Sequence, residues 1–380
     1  MSDSTDILVI GGGISGVSLA ARLAGAAGVV VVESEGHLGA HATGRSAALL
    51  VEAYGPPAIR RLTAMSRDFF ETPPPDFSEA PLSRRRGAVV YAAETHLSRL
   101  GAEFDKAAAA TTVERLTAEG VVERCPLMRP GVAAAGFIEP GVLDLDPNAL
   151  LQGFARVVRR SGGRIFIDAP VDSIERRSGG WAVRAGMHDI DCRVIVDAAG
   201  AWAERVAVLA GARPVGLTPM RRTAATIGVP AYLAAHLPTH PAVVPVDESF
   251  YFKPDAAAIM VSLSEESPSE PCDAYPEDID VALALERFHE ATIVPRGRPI
   301  ATWAGLRTFA PDRLPVVGFD PEVPGFFWYA GQGGYGIQMS PALSALGAKL
   351  VLGQAVDAAD LAEAFSVRRE SISRARAGLA

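Results

Sequence analysis

Cysteine is scarce. The three in 380 residues, Cys125, Cys192 and Cys272, stand far apart with no C-x-x-C pair. That excludes a disulfide scaffold and a structural zinc site of the usual spacing, and it fits a reducing compartment. Basic charge is not in excess: 36 Lys and Arg against 44 Asp and Glu give a net charge of −8. The basic clusters, at 84–86, 159–160 and 221–222, are short, so no surface suited to neutralising a row of phosphates is present and nucleic-acid binding is not expected. No apolar run reaches the roughly 18–20 residues that span a bilayer, so no transmembrane segment is expected. Residues 1–6 are acidic and lack a basic n-region and a small-residue cleavage site; a cytoplasmic location is the expectation. Pro238 spoils the helical spacing of His236 and His240, His289-Glu290 lacks the second histidine of a zinc protease, and there is no G-x-S-x-G or P-loop.

Apolar residues are plentiful, at 49%, enough for a sizeable core in two domains or so. The opening is the most readable stretch. Ile7-Leu8-Val9-Ile10 is too short and too uniformly apolar for a helix and reads as a buried parallel strand. Gly11-x-Gly13-x-x-Gly16 follows, then small apolar residues at helical spacing, then a second buried strand, Val29 to Val32, closing on Glu33. In such a βαβ unit the first glycine permits the tight turn, the second lets the backbone approach a pyrophosphate, and the third lets helix and strand pack closely. The helix N-terminus, including Ser15, offers free N–H groups to phosphates. Glu33, with Ser34 beside it, is placed for ribose hydroxyls, and a carboxylate there disfavours the extra phosphate of NADP.

Those residues do not separate FAD from NAD. Near the C-terminus an apolar strand leads into Gly331-Gln332-Gly333-Gly334-Tyr335-Gly336 and a helix at about 340–352. A second glycine-rich helix start suits a flavin, whose reduced ring carries negative charge that preorganised N–H groups stabilise. Val194 to Gly200 repeats the strand-into-small-residue pattern, Asp146-Pro147 offers an N-cap and N1 pair for a helix to about Arg160, and 97–118 reads as mostly helical. From Pro214 to Arg307 the chain is proline-rich with short apolar runs and one helix near 276–290. The expected fold class is α/β: a discontinuous Rossmann-type doubly wound FAD domain (1–80, 141–215 and 308–380) and a mixed-sheet substrate domain (81–140 and 216–307).

Nine segments carry a resemblance that covers nearly the whole chain. They are Asp6 to Gly16; Ala42 to Ala48; Ala53-Tyr54-Gly55; Asn148 to Arg160; Asp197 to Trp202; Pro219 to Arg222; Asp247 to Asp255; Thr302 to Arg307; and Gly333 to Gln338. The chain resembles the FAD-dependent D-amino-acid oxidase and glycine oxidase superfamily, with the nearest likeness to the bacterial D-arginine dehydrogenases. The resemblance implies a p-hydroxybenzoate-hydroxylase-like architecture with the flavin ring between the domains. It implies FAD contacts from Ala42, Thr43, Gly44, Arg45, Ser46, Ala47 and Ala48, with Val171 near the adenine. Further contacts fall on Gly200, Trp202, Gly333, Gly334, Tyr335, Gly336, Ile337 and Gln338. No cysteine lies near the C-terminal flavin segment, so the FAD is expected to be non-covalent.

The implied chemistry is oxidation of the Cα–N bond of an amino acid, giving an imino acid that hydrolyses to a 2-oxo acid and ammonia. Arg222, Arg307, Tyr54 and Tyr251 match the family's substrate residues, and arginine suits a carboxylate because its planar fork binds it bidentately. Which of Arg221 and Arg222 faces inward is left open. The side-chain pocket is expected at Leu49, Val51, Gly87 and Gly334. The relatives carry a histidine where this chain has Leu49 and a cation-reading glutamate where it has Gly87. Losing that carboxylate leaves a basic side chain unpaired, so an apolar D-amino acid is expected rather than a basic one, unless Glu52, alternating with Tyr54 on an extended segment, substitutes. The alternatives are an N-alkyl amino acid or glycine/sarcosine-type oxidase, a tailoring flavoenzyme with another amine substrate, a non-catalytic flavin-binding module, or a nicotinamide enzyme. The electron acceptor (oxygen, quinone or other) is left open.

Overall fold

The computed structural model describes residues 3–378. Two large sheets organise them, with a small three-stranded sheet between. In the first, the strand Asp3–Ile10 lies at the centre, parallel to Val29–Val32 on one side and to His188–Asp197 on the other. Val29–Val32 is buried at every position, as a strand covered on both faces must be. His188–Asp197 is long enough to serve two partners along one edge. Its first half pairs with the hairpin strand Gly180–Ala185, and its end pairs with the wholly buried Phe326–Ala330.

Helices Ile14–Leu23, Pro57–Glu71, Pro147–Arg160 and Gly336–Val351 pack together with this sheet into one apolar core. Asp146 caps the third of them by accepting the Ala149 N–H at 2.8 Å, with Pro147 at the first helical position. The last begins on Gly336 itself, four residues earlier than the sequence suggests, and carries Pro341 within it, where the Ile337 carbonyl that loses an N–H accepts the Ser340 hydroxyl at 3.0 Å instead. The stretch 97–118 is less helical than expected: helix Leu97–Ala108 ends and strand Glu114–Thr117 follows.

The second sheet has nine strands, and its two longest, Thr218–Gly228 and Pro299–Phe309, pair antiparallel from Thr218 to Ile227. The other edge of Thr218–Gly228 takes Ala258–Ser262 and, beyond a break at 263–266, the short Ser267–Pro268. Register decides which side chains share a face, because alternate residues of a strand point oppositely. Arg307 lies opposite Met220, Arg222 opposite Gly305, Ala224 opposite Ser262, and Ser262 opposite Tyr251. Arg307, Arg222, Ala224 and Tyr251 therefore share one face, and Arg221, opposite Leu306, lies on the other.

The strands of the first sheet fall within 1–80, 141–215 and 308–380 and those of the second within 81–140 and 216–307, with two local exceptions. The strand Ser83–Arg85 pairs with Leu143–Leu145 in the small sheet at the border, and Pro299–Phe309 runs two residues past the expected boundary.

Candidate active site

The first sheet's glycine turn is built by crowding. A Cβ on Gly16 would fall on the Gly11 carbonyl oxygen, and one on Gly11, at φ +113°, would fall on the Ala198 carbonyl. Neither position admits a side chain. The Thr43 hydroxyl accepts the Ile14 N–H at 3.0 Å, so the loop that carries Thr43 is pinned to the helix start. Glu33 Oε2 accepts the Gly12 N–H at 2.7 Å, and Oε1 accepts from the Ser34 hydroxyl at 3.1 Å and the Glu35 N–H at 3.0 Å. The acid is fixed at the strand end before any ligand arrives.

From this turn a cleft of about 580 Å³ runs to the exposed face of the second sheet. Its first half is lined by Gly11, Gly13, Ser15, Glu33 and Ser34, with Val171 at one end. The loop residues Ala42, Thr43, Arg45, Ser46 and Ala47 form one wall; Gly200 and Trp202, then Gly333, Gly334, Gly336 and Ile337, form the others. Arg222, Tyr251 and Arg307 line the far end with Ala224, Met260 and Leu306. The remaining expected cofactor residues shape the cleft from behind. Gly16 is buried in the turn; Gly44 closes its loop through its N–H to the Gly39 carbonyl at 2.8 Å; Ala48 sits at φ +28° with its N–H on the Ser46 hydroxyl. Gln338 is not free for a ligand: its side-chain oxygen accepts the Val51 N–H at 3.2 Å and its amide donates to Thr63 at 3.0 Å.

Whether the cleft fits FAD is answered by its orphaned groups. Thr308 Oγ1, His41 Nδ1 and Arg222 Nε are buried without a hydrogen-bond partner, and all three residues line it. Buried polar atoms in that state mark a place where a polar ligand belongs. The crowded glycine turn, the open helix start at Ser15 and the fixed Glu33 supply the phosphate and ribose ends.

The two arginines are set by the sheet. Arg307 packs on the bare backbone of Gly334, where a Cβ would come within 3.0 Å of its Nη1. Burial lowers its proton affinity, and the neighbouring Tyr251, Tyr54 and Glu266 more than restore it, leaving its pKa raised. Among the described residues no carboxylate lies within ion-pair distance of it. Arg222 is pulled down by burial and then by the charge of Arg307. Its neighbour Arg221 points away and is bound to Glu277 at 2.7 Å and Asp280 at 3.3 Å, which answers the question the sequence left open.

Tyr54 is not on the cleft lining; it is 36% exposed, its ring 5.2 Å from that of Tyr335, and it acts on Arg307 through its charge. Gly55, at φ +93°, lets the Tyr335 ring approach where a Cβ would come within 2.9 Å. Leu49, Val51 and Gly87 are not on the cleft lining. Leu49 and Val51 pack on a small apolar cluster of Ala88, Val142 and Ala242 behind it, beside the turn at Gly87. The extended segment expected at 52–54 is instead a turn closed by the Tyr54 N–H on the Val51 carbonyl. Glu52 is held there by Arg67 at 2.7 Å and Thr111 at 3.0 Å, so it does not replace the missing cation reader.

Several cleft residues escaped the sequence reading. Met260, Thr308 and His41 line it, and His41 packs on Trp202 with ring centroids 4.6 Å apart. Cys272 lines it too, although no cysteine was expected near the flavin segment at the C-terminus. Arg45 reaches across to the second sheet's side, bonding the Ala274 and Ala304 carbonyls at 3.0 Å each and pairing with Asp273. His41, Arg45 and Cys272 come from irregular segments with no periodic signal, and Met260 and Thr308 from strands whose cleft-facing side the sequence alone does not mark.

Residues 6–350 match the model of the family described as FAD dependent oxidoreductase. The chain is 26% identical over 389 residues to a glycine oxidase of Bacillus licheniformis, covering 97% of this chain and 99% of that protein. It is 24% identical to human mitochondrial dimethylglycine dehydrogenase over 88% of this chain, which spans 41% of that longer protein. Among solved structures, glycine oxidase from Geobacillus kaustophilus superposes with a TM-score of 0.83 at 20% identity, over 97% and 100% of the two chains. Iminodiacetate oxidase from Chelativorans sp. BNC1 superposes with 0.80 at 22% identity, over 95% and 98%. The glycine turn, the fixed Glu33 and the cleft between the sheets thus have the setting their chemistry requires, and the chain belongs to the FAD-dependent oxidoreductase family, with FAD as its cofactor.

Proposed function

We propose that the protein oxidises the Cα–N bond of an amino acid, with a D-amino acid of apolar side chain as its substrate. The observation that carries this reading is the placement of Arg222 and Arg307 as diagonal neighbours on one sheet face, Arg307 without a carboxylate partner. Two half-buried guanidinium groups side by side repel, and a substrate carboxylate relieves that repulsion while satisfying their forks.

FAD, when bound, accepts the hydride that leaves Cα. The protein's own part is positioning. Arg222 and Arg307 hold the carboxylate, Tyr251 and Tyr54 supply hydroxyls beside them, and Ala224 and Met260 offer an apolar wall. The amine nitrogen gives up its proton as the C=N bond forms, and water then converts the imino acid to a 2-oxo acid and ammonia. Of the acids near the arginine pair none is on the cleft lining: Glu52 is paired with Arg67 behind it, Glu266 with Arg313, and Glu265 takes the Thr223 N–H.

A second reading, an N-substituted glycine as substrate, is favoured by the names of the relatives, glycine oxidase and dimethylglycine dehydrogenase. Anaerobic mixing of the FAD-loaded enzyme with D-alanine, D-leucine, D-phenylalanine, D-arginine, glycine and sarcosine separates the two. Bleaching of the flavin by the apolar D-amino acids and not by D-arginine is the expected result. Bleaching by glycine and sarcosine alone supports the second reading. Bleaching only by amines that lack a carboxylate overturns both.

A further inference from the structure

Beside the arginine pair, where the second sheet breaks at 263–266, stand two carboxylates that neither the family match nor the reading above uses. Glu265 fills the gap in the sheet, its Oε1 taking the Thr223 N–H, and its charge acts on Arg222. Glu266 is placed differently. Its Oε1 lies 3.5 Å from Arg222 Nη2 and 2.7 Å from Arg313 Nη2. Arg313 lies in the turn that follows the strand Pro299–Phe309, over the Phe309 ring, 3.9 Å from its centroid. The same carboxylate raises the proton affinity of Arg307.

The charges at this end therefore come to three guanidinium groups, Arg222, Arg307 and Arg313, against two carboxylates, Glu265 and Glu266. One positive charge is left over, and it resides on the arginine pair, since Arg313 is matched by Glu266. In a cleft partly stripped of water, an uncompensated charge is costly and a like charge brought close is repelled strongly. One incoming carboxylate restores balance. A second has no cation to meet at this end, because the other side chains on that sheet face are Tyr251, Ala224 and Met260 and Glu266 lies against Arg222.

We propose that Glu266 is a specificity-determining residue: it sets the charge of the receptor so that an amine bearing one carboxylate is admitted and an amine bearing two is rejected. This rests on the reading of Arg222 and Arg307 as a carboxylate receptor. It goes beyond that reading by assigning the discrimination to a residue outside the pair.

The test uses anions that do not react. The FAD-loaded enzyme is titrated with propionate and with malonate, in which a carboxylate replaces the methyl group, and binding is read from the perturbation of the flavin absorbance. The parent is expected to bind propionate at least ten-fold more tightly than malonate. Glu266→Gln is expected to tighten malonate at least ten-fold while moving propionate less than three-fold. Arg313→Gln breaks the same ion pair but keeps the glutamate's charge, so malonate must remain weak there. That arm separates charge from the mere loss of the ion pair. If malonate and propionate tighten together in Glu266→Gln, if malonate does not move, or if Arg313→Gln admits malonate as Glu266→Gln does, the proposal is overturned. If neither anion perturbs the flavin of the parent enzyme, the carboxylate receptor itself is wrong, a failure distinct from that of Glu266.

Discussion

Two neighbouring arginines in sequence, Arg221 and Arg222, are separated by the simplest rule of a strand: alternate residues face opposite ways. Arg221 is tied to the helix Asp278–Ala291 through Asp280, and Arg222 faces the cleft. The functional consequence is a contrast between adjacent substitutions. Arg222→Ala or Arg307→Ala removes one of two charge-assisted grips on the carboxylate, and kcat/KM is expected to fall by two to three orders of magnitude, about 3–4 kcal/mol of lost transition-state binding. FAD content, read from the absorbance ratio of the purified protein, stays at the parent level. Arg221→Ala leaves kcat/KM within about three-fold and costs about 1 kcal/mol or less of stability, as expected for a partly exposed ion pair. Equal losses for Arg221→Ala and Arg222→Ala would show that the strand register in solution differs from that described above.

At the scale of elements, the glycine turn and the turn at 51–54 make opposite demands on sequence reading. The glycine turn is legible because each glycine has a local steric cause. Gly16→Ala should abolish FAD retention: its Cβ meets the Gly11 carbonyl of the same turn, which has no room to move, and purification would yield colourless protein. The turn at 51–54 is not legible, because it is held from a distance. Glu139, 3% exposed on the strand Ala135–Glu139, accepts the Glu52 N–H at 3.0 Å. A buried carboxylate 87 positions away leaves no mark in the local sequence, and so the segment carrying Tyr54 reads as extended. The same applies to Glu265 and Glu266, which follow the end of a strand and carry no periodicity.

Glu139 also gives this element a pH dependence. Burial pushes its carboxyl up to about 7, with the nearby Glu52 carboxylate adding to the rise and Arg67 and backbone N–H groups opposing it. The folded form then holds a proton that the unfolded chain has released above the ordinary carboxylate range. Stability from this group is present at low pH and is lost as pH rises from about 4.5 to 7, by on the order of 3 kcal/mol at 1.36 kcal/mol per unit. Whatever the offset at pH 5, the melting temperature of Glu139→Gln should gain on the parent as pH rises to 7 and hold a constant gap above 8. A gap that is flat from pH 5 to 8 would count against a raised carboxyl.

The molecule as a whole is closed by its C-terminal helix, Glu370–Gly378. Arg376 in that helix, 6% exposed, is paired with Asp320, which also accepts the Trp328 indole N–H at 2.9 Å and the backbone N–H groups of Glu322 and Val323. Asp320→Ala leaves a buried guanidinium without a counter-charge, and a loss of about 3–5 kcal/mol is expected in denaturant unfolding. The ordering of the sheets, with strands from both ends of the chain in one of them, follows from the strand–glycine–helix signals near residues 10, 197 and 331. The small border sheet has no such signal, since its three strands are two or three residues long and are defined only by what they pair with. A final consequence belongs to the second sheet. Its two guanidinium groups are spaced by backbone hydrogen bonds between two eleven-residue strands, a ruler that no exchange of side chains farther along can shorten. Ala224 and, one step farther along the same face, Met260 line the cleft beside them. Such positions are free to diverge between descendants of this chain, altering which molecules are turned over while the distance between the two gripping forks is inherited unchanged.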